Sequence, residues 1–458
     1  MGKWSPLIAV CLGGFVLLVD VTIVTVALPE MARSLSASFT GLQWVIDAYA
    51  LALAALVLAS GSLADHIGRR KTYIGGLVVF AGASLACGLA ESTEVLVISR
   101  AVQGIGGAAM LATTMALVNL TYHGKDRSVA LAIWGAVSGA AAAAGPVLGG
   151  VLTEYLGWRW IFLVNIPIAV IAVWMTLRVV AESSNPSAKG VDIPGVVTFT
   201  AGAAALTYGL MQAGDHGWGS ARTLGWIGGG VLAWVIFAVI EARSTNAMLD
   251  LALFRKPSFS VTLLAALAFT FAAFAYTPFM SVWLQQQLGM KPLNAGLAMI
   301  PMSLTAFVIA GVAGRFMHSV PFRYTIGLGM LVVGAGALLL KTGDSWTVIL
   351  PGLVVVGVGV AVTAQALPGA IMASVPLYRA GMASGALNTF RQLGMALGVA
   401  VLGTVVSHGQ TFDKGLDTSY VVAGISGVAV GLIALMLLKA SGDAGHDPKV
   451  EQVLGTKS

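Results

Sequence analysis

The sequence predicts an all-α polytopic membrane protein with fourteen transmembrane helices, ordered as six, then two, then six. Three observations carry this. Of 458 residues, 57% are hydrophobic and only 10% charged, where a soluble domain carries about 25% charged residues. Fourteen apolar runs approach the roughly 20 residues that a helix needs to cross a bilayer. Lysine and arginine gather in alternate loops, as the positive-inside rule requires. A soluble enzyme is thereby excluded.

The spans fall near 6–29, 41–64, 73–90, 95–119, 129–153, 160–178, 193–212, 224–241, 258–284, 295–313, 324–340, 347–368, 380–406 and 419–438. The first is too long for a signal peptide core, lacks a small-residue cleavage site and is followed by similar runs, so it reads as a retained helix. Cys11 and Cys87 lie in apolar runs and read as small core residues. The 57 glycines suit close helix packing in lipid. With the N-terminus inside, 17 lysines and arginines fall on the inner side and 6 on the outer, with Arg100 and Arg391 within spans. That bias supports an even number of spans and both termini cytoplasmic, in a cell membrane.

Polar inner segments at 179–192 and 242–257 mark blocks. Residues 1–178 read as a six-helix bundle, 179–254 as a linker with two further helices, 255–440 as a second six-helix bundle and 441–458 as a cytoplasmic tail. Helix 5 carries "GAVSGAAAAAGP" and helix 13 "GMASGALNTFRQ". The inner loop "GRFMHSVPFRYTIG" at 314–327 echoes "GSLADHIGRRKTYIGG" at 61–76. Matches at equivalent positions favour two related halves, as in many transporters.

In "GSLADHIGRRKTYIGG", Gly61 and Gly68 permit a tight turn, and Asp65 can meet a helix N-terminus or the Arg69, Arg70 and Lys71 cluster. This suits an acid–base latch, beyond the topological role of the basic cluster. In helix 4, Arg100, Gln103, Gly104 and Gly107 share one face. That face predicts an inward-pointing Arg100, against the alternative of snorkelling to the surface. Helix 5 carries Gly145, Pro146, Gly149 and Gly150, a pattern for tight packing and a bend.

Asp20 and Asp47 are the acids well inside spans. An intramembrane acid is by default a functional hypothesis, usually a proton relay or substrate path. Asp20 and Arg100 are expected at similar depth in the outer half, so a static salt bridge is the competing reading. For Asp47, on helix 2 with Gln43, Trp44 and Leu51 on its face, the alternative is a solvated mouth. Helix 13 places Asn388, Arg391 and Gln392 in mid-span, and Gln365 is a further buried polar candidate on helix 12. Trp44, Gln103, Tyr276, Gln365, Asn388 and Arg391 are candidate substrate-cavity residues. The aromatics Trp44, Tyr49, Tyr276, Phe279 and Trp283, with Met280, read equally well as packing or an interfacial belt. There is no nucleotide-binding glycine loop, no metal spacing among the histidines at 66, 123, 216, 318, 408 and 446, and no nucleophile–base motif. No catalytic residue, cofactor, nucleotide or nucleic acid is expected. Energy for transport must come from an ion gradient or from the substrate.

The stretches "LLVDVTIVTVALP", "GSLADHIGRRK", "RAVQGIGGAAM", "GAAAAAGPVLGGVL" with "GWRWIFLVNIP", and "SGALNTFRQLGMALGVAVLGTV" resemble signatures of the major facilitator superfamily. They are most similar to its fourteen-helix drug:proton antiporter branch, the EmrB/QacA type. The resemblance implies a fold of two six-helix bundles plus two helices. It implies proton coupling through Asp20, Arg100, Gln103 and Gly104, with Asp47 added by its own position. It implies inner-loop gating by Gly61, Asp65, Gly68, Arg69 and Arg70, and a helix-5 antiporter motif at Gly145, Pro146, Gly149 and Gly150. The implied function is proton-driven export of small lipophilic drugs or antibiotics by a monomer in the lipid bilayer. Some relatives that export dications carry an acid in a second-half helix; none is found here. An exporter of one endogenous metabolite or self-made antibiotic, neutral or anionic, is the alternative. A channel or a membrane sensor is a more distant reading, since the tail is short for a signalling domain.

Overall fold

A computed structural model gives the architecture and describes residues 2–184, 191–244, 247–313, 320–376 and 379–438. The loop residues 314–319 and the tail 441–458 lie outside the described residues. Fourteen helices among them are long and apolar enough to cross a membrane, and the chain is a multi-pass all-α membrane protein. In order they are α1 Ser5–Leu35, α2 Phe39–Ile67, α3 Arg69–Gly88, α4 Thr93–Thr121 and α5 Gly124–Leu156. Then come α6 Trp160–Val179, α7 Ile193–His216, α8 Ala221–Arg243, α9 Pro257–Gln287 and α10 Pro292–Ala313. The last are α11 Phe322–Leu339, α12 Trp346–Ala373, α13 Ala380–Ser407 and α14 Phe412–Leu437. An even count puts the start of α1 and the end of α14 on one face, here the terminal face; the other is the far face.

Hydroxyl and carboxyl side chains start many of these helices. Ser38, Ser92, Asp192, Ser220 and Thr411 each accept a backbone N–H from the first turn, which satisfies a donor that the helix itself leaves free. Several helices overrun their apolar stretches, α5 and α14 at their starts. α14 begins at Phe412 and not near 419, because Thr411 caps it and Asp417 accepts from Thr342 N–H at 2.6 Å. α5 begins at Gly124, and its polar first turn is fixed by Lys3 to Asp126 at 2.7 Å. Two spans are interrupted. α6 breaks at Val164, so that Asn165 opens a new segment. α9 breaks between Ala273 and Thr277 and ends in one wider turn, Trp283–Gln287.

Small residues set the helix crossings. Where α3 meets α4, a Cβ on Gly106 would lie 2.6 Å from the Phe80 nitrogen and 2.7 Å from the Gly76 carbonyl. The backbones touch there, which replaces the hydrophobic drive that lipid cannot supply.

The halves α1–α6 and α9–α14 meet along two seams, α2 against α13 and α5 against α10. On the first, Gln43 Nε2 donates to the Val399 carbonyl at 3.1 Å and Thr389 Oγ1 to the Ala54 carbonyl at 2.9 Å. The far face is further closed by Gln285 Nε2 on the Val26 carbonyl at 2.8 Å, Phe39 against Phe279, and Lys291 at 3.8 Å from Glu154. The α7–α8 hairpin lies on the α2–α13 seam. Phe199, Ala203 and Phe237 join Ala50, Leu51, Leu393 and Ala396 in one apolar cluster, and Thr404 Oγ1 donates to the Leu210 carbonyl at 2.8 Å.

Gly106→Val forces the α3–α4 backbones apart. It is expected to destabilise the protein by about 1–3 kcal/mol, the usual range for overpacking, read as a lower unfolding midpoint of the purified protein; Gly82→Ala, inside α3 and meeting open space, should not lower the midpoint.

Candidate functional site

The polar interior of the first half centres on Asp20. Its carboxylate is fully buried, and Arg100 is 1% exposed. Arg100 Nη1 donates to Asp20 Oδ2 at 2.5 Å, while Asp20 Oδ1 accepts from Gln103 Nε2 and from Asn165 Nδ2, both at 2.9 Å. Arg100 also donates through Nε to the Val45 carbonyl at 3.0 Å and through Nη1 to Gln103 Oε1 at 2.6 Å. Ser84 Oγ receives Gln103 Nε2 at 2.8 Å. The guanidinium lies 4.2 Å from the Tyr49 ring centre. Side chains or backbone of α1, α2, α3, α4 and α6 thus converge on one carboxylate.

Local sequence explains the convergence. Arg100 and Gln103 are three residues apart and so share a helix face. One residue further, a Cβ on Gly104 would stand 2.7 Å from the Tyr49 carbonyl; its absence lets α4 sit on α2 and brings Arg100 over Tyr49. The break at Val164 aims Asn165 inward. A buried charge is tolerated only when paired and hydrogen-bonded, and each donor around Asp20 complements a carboxylate.

Asp47 is not part of this network. Val45 and Asp47 are two residues apart, on roughly opposite sides of α2. Val45 and Tyr49 face Arg100, whereas Asp47, four residues after Gln43, lies on the face that meets α13. It is fully buried, so it is not a solvated mouth residue, and neither of its carboxyl oxygens has a partner among the described residues. The pairings of Gln43 with Val399 and Ala54 with Thr389 put it opposite the middle of α13, inside the seam between the halves.

At the terminal face Asp65 pairs with Arg69 at 2.6 Å. Gly68 has φ +116°, a conformation that glycine takes without strain. Its missing side chain admits Glu182, whose carboxylate accepts the backbone N–H of Arg70 at 3.0 Å and of Lys71 at 3.1 Å. Arg70 reaches the Leu177 carbonyl at 2.9 Å. Glu182 therefore neutralises the N-terminus of α3, where a negative charge is favoured. A Cβ on Gly61 would meet open space.

In α5, Cβ atoms on Gly145 and Gly149 would strike Thr22 and Ile23 of α1, and one on Gly150 would lie 2.7 Å from the Pro292 carbonyl at the start of α10. Pro146 offers its carbonyl to Gly296 of α10 at close approach. One face of α5 thus seats α1 just beyond Asp20, and the other seats the second half.

The cavity candidates have diverse settings. Gln103 belongs to the Asp20 network. Trp44 packs on Tyr208 of α7 with ring centres 6.0 Å apart, and Tyr276 is buried edge-on against Tyr420. Gln365 is exposed and donates to the Ala310 carbonyl at 3.1 Å. Asn388 bonds back to its own helix at Ser384. The Arg391 guanidinium lies 5.6 Å from the Phe269 ring centre, with no carboxylate paired to it among the described residues. Ser84, Asn165 and Glu182 were not singled out by sequence reasoning. The signal for Asn165 was its place in the motif that ends "NIP", and for Glu182 an acid just past the sixth span.

The sequence model of the Major Facilitator Superfamily matches residues 10–399. The chain is 36% identical over 404 residues to the multidrug resistance protein Stp of Mycobacterium tuberculosis, covering 88% of this chain and 75% of that protein. It is 35% identical over 444 residues to the cephamycin export protein CmcT of Amycolatopsis lactamdurans, covering 95% and 91%. Among solved structures it is similar in fold to the peptide transporter POT in complex with sulfate, with a TM-score of 0.70, 15% identity and 94% of each chain covered.

Arg100→Leu strips the buried carboxylate of its cation and is expected to cost about 3–5 kcal/mol of stability, whereas removing both charges with Asp20→Leu and Arg100→Leu together should cost less. Chemical unfolding of the purified variants measures the difference, and equal losses would exclude a buried charge pair.

Proposed function

The chain belongs to the Major Facilitator Superfamily, and from that membership we propose that it is a proton-driven antiporter that exports lipophilic drugs or antibiotics. The observation that carries the reading is Asp20, a carboxylate held deep in an apolar bundle by Arg100, Gln103 and Asn165. Residues this costly in a membrane mark ion paths. The similarity to a multidrug resistance protein, Stp, and a cephamycin export protein, CmcT, supports the export direction and the substrate class.

In this reading both termini are cytoplasmic, the terminal face is inner and the far face outer, in a cell membrane. Residues 1–178 and 255–440 form the two moving bundles, 179–254 holds the linker and its two helices, and 441–458 is the tail. The protein acts as a single chain, without a cofactor. The contacts across the far face fit a state closed to the outside. When the far face opens, Asp20 parts from Arg100 and takes a proton, because the donors that complement its charge are gone. Asp47, lodged in the α2–α13 seam without a partner among the described residues, takes a second: a neutral acid fits that apolar seam and a carboxylate is penalised there. Release of both protons inside resets the pump. Asp65 with Arg69, Arg70 and the Glu182 cap form the inner latch, and Gly61 and Gly68 give it room. Gly145, Pro146, Gly149 and Gly150 carry the movement of α1 to α10. Gln365, Asn388 and Arg391 contact substrate.

A second reading, export of one neutral or anionic metabolite, is favoured by Arg391, a cation with no carboxylate paired to it among the described residues. In everted vesicles an imposed pH gradient should drive ethidium uptake by the native chain, and Asp20→Asn should abolish the drive; proton-coupled transport that survives this change would sink the proposal. Transport of an anionic compound that exceeds that of ethidium and falls with Arg391→Gln would decide for the second reading.

A further inference from the structure

Away from Asp20 and Asp47, the base of the α7–α8 hairpin brings two more acids together. Asp192 caps α7, and Glu241 lies two residues before the end of α8. They are 7% and 4% exposed. One oxygen of each is bonded: Asp192 Oδ1 accepts Gly195 N–H at 3.0 Å, and Glu241 Oε2 accepts Leu249 N–H at 3.1 Å. The others, Asp192 Oδ2 and Glu241 Oε1, are buried without a partner among the described residues. Both point at one spot. A Cβ on Gly195 would lie 2.6 Å from Asp192 Oδ2 and 2.8 Å from Glu241 Oε1. A cavity of about 510 Å3, bordered by Asp192, Pro194, Ile240 and Arg243, opens beside them.

Two buried carboxylates this close cannot both stay charged; one proton between them removes the repulsion and satisfies both free oxygens. The described charges nearby do not fill that role. Arg243 is exposed at the end of α8, Arg255 and Lys256 are exposed at the start of α9, and Arg379 is engaged by Asp250.

We propose that Asp192 and Glu241 form a proton-binding site, a carboxyl pair that holds one proton between Asp192 Oδ2 and Glu241 Oε1. The N-terminus of α7 favours charge on Asp192, so Glu241 carries the proton and donates it. The bonded pair closes the hairpin base and holds Leu249. The next residue, Asp250, joins α13 through Arg379 and through its N–H to Met382 Sδ at 3.5 Å. Proton loss sets two charges against each other and loosens this tie between the hairpin and α13. The site rests on its own geometry and stands whether or not Asp20 couples transport.

The test uses the full-length purified protein. At neutral pH its infrared spectrum should contain protonated-carboxyl absorption that loses one component in Glu241→Gln, beyond whatever Asp47 contributes. Glu241→Gln keeps a donor for Asp192 without a proton to lose. The native fold holds a proton that the unfolded chain, with carboxyls that ionise near pH 4, releases. Its melting temperature should therefore fall as pH rises through the release of that proton, more steeply than that of Glu241→Gln. Unchanged absorption together with equal slopes would overturn the site. Should the variant not fold, carbodiimide labelling of the native protein decides. Modification at Glu241 or Asp192 that declines as pH rises supports the pair, and labelling that is absent or independent of pH refutes it.

Discussion

The first half is organised around one contact, Arg100 on Asp20, 2.5 Å apart and closed to solvent. In lipid the hydrophobic effect does little to hold helices to one another. A buried charge pair, by contrast, has no lower-energy exit: separating it within the bundle strands two charges in a medium that cannot solvate them. The pair thus fixes the relative depth of α1 and α4. Gln103, Asn165 and Ser84 extend the constraint to α6 and α3, and the Val45 carbonyl extends it to α2. One buried charge pair thus ties five helices of the first half together at a single depth.

From this point a mechanical path leads to the other half. Thr22 and Ile23, just past Asp20 on α1, rest on Gly145 and Gly149, and the adjacent face of the same stretch of α5, one residue on at Pro146 and Gly150, receives Gly296 and Pro292. On the α5 side neither contact has a side chain between the backbones: the short Thr22 side chain and the Ile23 backbone meet Gly145 and Gly149, and the Pro292 carbonyl and Gly296 meet Gly150 and Pro146. A shift of α1 is therefore passed on to α10 with little slack, because interiors packed this closely deform little.

Much of this was legible in the sequence. Fourteen spans followed from hydropathy alone. The i, i+3, i+4 spacing of Arg100, Gln103 and Gly104 set them on one face, and the structure puts that face against Asp20 and Tyr49. Helix ends were less legible, because caps such as Thr411 carry α14 past its apolar run. Asp47 was visible as an acid, yet its position in the seam depends on which helix lies opposite, and spacing within one helix does not encode that. Asn165 and Glu182 are single polar residues whose roles exist only once distant segments meet. The aromatics Trp44 and Tyr276 show the same limit. Their size was plain, but Tyr208 and Tyr420, which pack against them, come from helices far away in sequence.

The hairpin α7–α8 makes the two seams unequal. Along α2 and α13 it adds Phe199 and Phe237 to the junction, so that side is walled off from the acyl chains. Along α5 and α10 no hairpin helix packs on the junction among the described residues, and Leu304, Phe307 and Val308 stand exposed. The molecule thus has a sealed flank and a bare one. A greasy solute already dissolved in the surrounding leaflet meets the junction of the halves directly on only one of them, so sideways entry, where it occurs, is lopsided by construction.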